Sequence, residues 1–120
     1  AAELAGFVDD PRRLALVIVT LAEEMPVQEA LELREAFHRD LDREPELLVV
    51  NGLYPPLPTD LDPRAAGAAE PSPAVAAWYR RRRINERELG RLEREWQGPR
   101  VELPLLAVER GPELVARLRR

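Results

Sequence analysis

The sequence contains no cysteine and no lysine, so all 18 of its Lys+Arg residues are arginines. Without cysteine there is no disulfide framework, no thiolate zinc site and no cysteine nucleophile. Without lysine there is no Walker A phosphate loop, no Schiff-base lysine and no catalytic lysine among these residues. The single histidine, His38, cannot build a metal site alone. The six glycines, Gly6, Gly52, Gly67, Gly90, Gly98 and Gly111, are all isolated, so there is no glycine-rich cradle for phosphate. No apolar run approaches the roughly 20 residues that cross a bilayer, and the first residues lack the basic-then-apolar pattern of a signal peptide. The expectation is therefore a water-soluble, cytoplasmic protein.

The chain has 120 residues, 45% hydrophobic and 33% charged. That balance suits a folded globular domain, or part of one, and not a disordered segment. A net charge of -4 gives no reason to propose nucleic acid as a partner.

Leu14 to Leu21 is a continuous apolar run rich in β-branched residues, which reads as a strand covered on both faces in a parallel sheet. Pro26 suits a first helical position, and Val27, Ala30, Leu31, Leu33, Phe37 and Leu41 supply the apolar stripe of the helix that follows. Leu47 to Leu53 is a second buried strand ending in Asn51-Gly52. Strand, helix and strand make a βαβ unit with parallel strands. Asn51 lies at the C-terminal end of its strand, where α/β sheets bind ligands.

Residues 54–73 carry Pro55, Pro56, Pro58, Pro63, Pro71 and Pro73. The missing N–H donors predict a long loop or insertion. From Ala74 to Gln97 a helix is expected on the stripe Val75, Trp78, Ile84, Leu89, Leu92 and Trp96, stopped by Gly98-Pro99. A third strand, 101–107, is interrupted by Pro104, and Gly111-Pro112 opens a last short helix. The fold class is α/β, part of a doubly wound, mostly parallel sheet.

Several clusters admit two readings. Glu23 and Glu24 could order a metal or pair with an arginine, but carboxylates at a helix start also serve the dipole and the cap. Arg80-Arg81-Arg82-Arg83 looks like a phosphate patch. Glu86, Glu88, Glu93 and Glu95 on the same helix can neutralise much of it, which favours a solvated or partner-facing surface. Trp78 and Trp96 read as packing anchors, and His38 as a surface residue. No catalytic triad or paired-carboxylate hydrolase site is present.

Three stretches together resemble the C-terminal part of anion-transporting, arsenical-pump-type (ArsA family) ATPases, the family that includes the targeting factor for tail-anchored membrane proteins. They are Leu16–Ala30 with its acidic Glu23-Glu24-Met25-Pro26 turn, Val49-Val50-Asn51-Gly52-Leu53-Tyr54-Pro55, and Leu103-Pro104-Leu105-Leu106 followed by Glu109-Arg110-Gly111-Pro112-Glu113-Leu114. The resemblance covers nearly the whole chain in the right order. It implies the C-terminal half of a P-loop NTPase fold, acting as a nucleotide-gated dimer on ATP with magnesium. It further implies that Asn51 contacts the adenine ring and that Pro104, Leu105, Leu106, Ala107 and Val108 line the adenine pocket. An amide offers a donor and an acceptor to a purine edge, and a proline-interrupted apolar loop offers a flat wall. The alternative for Asn51 is a turn residue, because Asn-Gly tolerates positive φ.

The family's phosphate loop, magnesium-binding Asp and switch segments have no counterpart here. The expected partners are therefore an N-terminal P-loop half, a second copy, and a membrane-protein client or pump. Some relatives carry a paired-cysteine zinc site near the insertion; this sequence has no such cysteines, so no zinc is expected. A different reading stays open: a non-catalytic interaction module that uses the arginine-rich helix and the proline-rich loop to bind a protein.

Overall fold

A computed structural model of the chain describes residue 6, residues 10–65, residue 67, residues 69–106 and residues 111–119. Strands β1 (Val17–Leu21), β2 (Leu47–Leu53) and β3 (Arg100–Pro104) form one parallel sheet in the spatial order β1-β2-β3. Helix α1 (Glu24–Leu41) connects β1 to β2, and α2 (Pro73–Glu95) connects β2 to β3. A single 3₁₀ turn, Thr59–Leu61, interrupts the proline-rich loop, and a short helix α3 (Pro112–Leu118) follows β3. No helix among the described residues is long and apolar enough to cross a membrane.

The second strand matches its sequence expectation residue for residue, while β1 starts three residues later than the apolar run. The reason lies in the ladder: Val17 pairs with Leu47, the first residue of β2, so Leu14 to Leu16 have no strand beside them. Helix α1 begins at Glu24, which puts Pro26 at the third helical position instead of the first. The missing N–H costs nothing there, because the first four helical N–H groups have no partner inside the helix. Asp42, in the left-handed region at φ 49, ends α1. The N–H groups of Asp42 and Arg43 then bond the carbonyls of His38 and Phe37 at 3.1 and 3.2 Å. Helix α2 starts on a Ser72 cap whose Oγ accepts the Val75 N–H at 3.3 Å, with Pro73 at its first position.

Alternate strand residues point into one core. Ile18, Leu48 and Val50 from the sheet meet Val27 and Ala30 of α1, and Leu92 of α2 with Trp96 just beyond it. Both helices thus contribute to the same core, on the same side of the sheet. Val27, Leu48, Val50 and Leu92 are fully buried, each stabilising the fold by about 1.5–3 kcal/mol relative to exposure.

The opposite face corrects the expectation of strands covered on both sides. Val17, Val19, Leu21 and Val101 stay 42–64% exposed. β3 also ends sooner than the apolar 101–107 stretch. Its ladder stops at Pro104, opposite Leu53, and the last bond runs from the Leu105 N–H to the Leu53 carbonyl at 2.7 Å.

Candidate functional site

The C-terminal ends of parallel strands present backbone groups that the ladder no longer uses, which is why ligands gather there. In β2 the change comes early. The register with β3 shifts between Val50 and Leu53, and Gly52 takes φ 67. The left-handed residue of the Asn-Gly pair is therefore Gly52. Asn51 itself stays in the strand, opposite Leu21 of β1, so the turn-residue alternative is overturned.

The Asn51 side chain is exposed on the uncovered side of the sheet and has no hydrogen bond within the described residues. It lines a groove of about 350 Å³ along the edge of β1 that no other strand covers among the described residues, together with Val19, Leu21, and Pro26, Ala30 and Leu33 of α1. Pro104, Leu105 and Leu106 lie at the end of the neighbouring strand β3, with Leu105 43% exposed. None of these three lines the groove that Asn51 faces. The candidate residues therefore meet at adjacent strand ends but not in one cavity; Ala107 and Val108 lie outside the described residues. Thr20 and the Glu29 carboxylate line the same groove, so the Asn51 amide sits in a mixed polar and apolar surround, and an unpaired amide there offers both a donor and an acceptor to a ligand. The described residues hold no group of three His, Asp or Glu side chains placed for a metal ion.

Helix α2 closes this end of the sheet. Asn85 is buried, accepts the Tyr54 N–H at 2.9 Å and donates to the Ala22 carbonyl at 3.0 Å. Arg82 donates to the Tyr54 carbonyl at 2.8 Å and pairs with Glu86 at 3.0 Å. Asn85 escaped sequence reading because it sits among arginines and glutamates and looked solvent-facing. Its spacing to Leu89, Leu92 and Trp96, four, three and four residues, is the signal that puts it on the buried stripe.

Glu23 is the α1 cap residue but makes no side-chain cap bond; it pairs with Arg81 at 3.4 Å. The arginine run is accordingly divided. Arg81 reaches Glu23, Arg82 reaches Glu86 and Tyr54, and Arg83 lies 5.9 Å from the Tyr79 ring. Glu88, expected on the polar surface, is instead buried beside Arg87 at 3.1 Å, and its Oε2 has no hydrogen bond. Trp96 is a core anchor with the Arg34 guanidinium 5.1 Å over its ring. Trp78 is 37% exposed and ties down the proline-rich loop. Its indole donates to the Pro55 carbonyl at 2.9 Å and meets Tyr54 edge-on at 5.4 Å. His38 is exposed, 3.4 Å from Glu44.

These features define an α/β protein with a small parallel sheet and a candidate ligand end built from β1, β2 and α2. No protein-family model matches the chain, and no curated protein matches it significantly.

Proposed function

We propose that the chain is the C-terminal, adenine-side portion of an anion-transporting ATPase of the arsenical-pump type. The observation that carries this reading is the exposed, unpartnered amide of Asn51 at the C-terminal end of a central parallel strand. The strand–helix–strand–helix–strand order and the free edge of β1 support it, since a larger parallel sheet continues from such an edge. In this reading Asn51 addresses the adenine edge and Pro104 to Leu106 supply an apolar wall. A P-loop half, absent from these residues, holds the phosphates and magnesium, which supply the charge stabilisation that phosphoryl transfer needs.

The test uses the complete natural gene product and a fluorescent ATP analogue. Asn51→Ala should weaken binding by about 1–3 kcal/mol, the effect of leaving a buried polar partner unpaired, while affinity for inorganic tripolyphosphate stays the same. Identical ATP affinity in the variant would remove Asn51 from the site. The 120-residue chain by itself should show no magnesium-dependent ATP hydrolysis. Turnover that is lost on mutating residues of this chain would refute that expectation.

A second reading, a protein-interaction module, is favoured by one observation. Leu57, Pro58 and Leu61 of the loop and Ala74, Val75 and Trp78 of α2 line an apolar recess of about 270 Å³. Under this reading Trp78→Ala abolishes partner capture and leaves nucleotide binding untouched.

A further inference from the structure

The β1–β2 ladder ends at the pair Leu21 and Asn51. Beyond it, Ala22 on one side and Gly52 to Tyr54 on the other have no strand partner in each other. A buried carbonyl or N–H left there without a bond would cost the fold. One side chain serves both strand ends: the Asn85 amide donates to the Ala22 carbonyl at 3.0 Å and accepts the Tyr54 N–H at 2.9 Å. One turn earlier on α2, Arg82 holds the Tyr54 carbonyl at 2.8 Å, so both polar groups of the Tyr54 backbone are fixed by helix side chains.

Between this fixed point and Asn51 stands Gly52, at φ 67, the residue with the least resistance to backbone rotation. An amide at Asn51 keeps one direction only if the chain on both sides of that glycine is held. The ladder holds the near side; on the far side the Leu105 N–H of the β3 end holds the Leu53 carbonyl, and Asn85 with Arg82 holds Tyr54 and ties it to the end of β1. We infer that Asn85 is the positioning residue of the candidate site: its amide fixes the separation of the β1 and β2 ends and, across Gly52, the direction of the Asn51 side chain. The assignment rests on the adenine-side reading for the identity of the ligand, and on the geometry alone for the clamp.

An isosteric carboxylate separates the two halves of the clamp. Asn85→Asp keeps an acceptor for the Tyr54 N–H but sets a carboxylate oxygen against the Ala22 carbonyl, whereas Asn85→Leu removes both bonds. Amide hydrogen exchange in the 120-residue chain reads the clamp directly. The Tyr54 N–H should be protected in the wild type and in Asn85→Asp, and should exchange roughly tenfold faster or more in Asn85→Leu, the loss of one buried hydrogen bond. An unprotected Tyr54 N–H in the wild type overturns the clamp.

Positioning is read from base selectivity in the complete gene product. Inosine triphosphate lacks the 6-amino group of ATP, so the ratio of the two affinities reports the direction of the Asn51 amide. Both variants should bring that ratio down to the value seen in Asn51→Ala, with tripolyphosphate affinity unchanged. Faster Tyr54 exchange with a wild-type ratio would make Asn85 a stabilising residue only, against the inference. If Asn51→Ala itself leaves the ratio unchanged, the adenine reading falls. The Asn51 side-chain amide signals in NMR spectra of the chain then decide the positioning claim, and their being identical in wild type and Asn85→Leu would overturn it.

Discussion

Glu46 and Leu16 bond each other twice. The Glu46 N–H donates to the Leu16 carbonyl at 2.8 Å, and the Leu16 N–H donates to the Glu46 carboxylate. This exchange replaces the strand pairing that β1 lacks before Val17. The buried Arg43 guanidinium bonds the same carboxylate. The Leu16 N–H, with Arg43 contributing less, holds the Glu46 carboxyl below the ordinary range of a glutamate.

That lowering has a defined pH consequence. The folded state prefers the ionised carboxylate, so its stabilising effect is complete above the ordinary glutamate range, about pH 4.3, and is lost as pH falls through the lower folded value. Urea midpoints of wild type and Glu46→Gln should differ most near neutrality and converge on acidification. A gap that stays constant down to pH 3 would show that the Leu16 bond does not depend on charge.

Gly52 supplies a second prediction. A Cβ built there meets only Leu21 Cδ2, at 3.7 Å, an ordinary contact, so space is not the constraint. The constraint is φ 67. Gly52→Ala should lower stability by roughly 1–2 kcal/mol, the penalty of the left-handed region for a residue with a Cβ, and Gly52→Asn should lower it by less. Equal and negligible effects in chemical denaturation would mean that the strand end relaxes to another conformation.

The core is thin enough for one residue to matter. Leu92 is fully buried and joins α2 to the sheet core. Leu92→Ala should cost about 2–5 kcal/mol through lost transfer energy and the cavity left behind, a large share of the stability of a domain this size. A variant that melts within a few degrees of the wild type would show that α2 is held mainly by its polar network.

Self-association is expected of the chain in concentrated solution. Among the described residues β1 is an edge strand; it has no lysine, proline or bulge, and its outward residues Val17, Val19 and Leu21 are 43–64% exposed. Such an edge recruits another strand. Light scattering should show mass rising with concentration, and Val19→Glu should restore the monomer with little change in melting. A monomeric mass across the whole series, with sharp cooperative melting, would mean that the edge needs no cover.

Much of the fold was legible because apolar continuity and turn residues agree. Leu47 to Leu53 was read exactly, and Gly98-Pro99 placed the end of α2 within two residues of Glu95. Pattern could not tell how many faces of the sheet its own helices cover, since Val19 and Val50 look alike in sequence; one is 64% exposed and the other buried. The strand-end position of Asn51 was legible from its place after a buried run. Asn85 and Glu88 were not, because burial of a polar residue on a charged helix depends on which strand ends and guanidiniums it meets.

The strands lie side by side in the order in which they occur in the chain. Growth of the sheet is thus directional: β1, α1 and β2 can assemble as a unit while the residues of α2 and β3 are still being synthesised, and each new strand finds its neighbour already in place. Asn85 joins this process late, after both strand ends that it bridges. The bridged ends of β1 and β2 are consequently the last part of that unit to gain their hydrogen bonds, which form only after translation has passed residue 85.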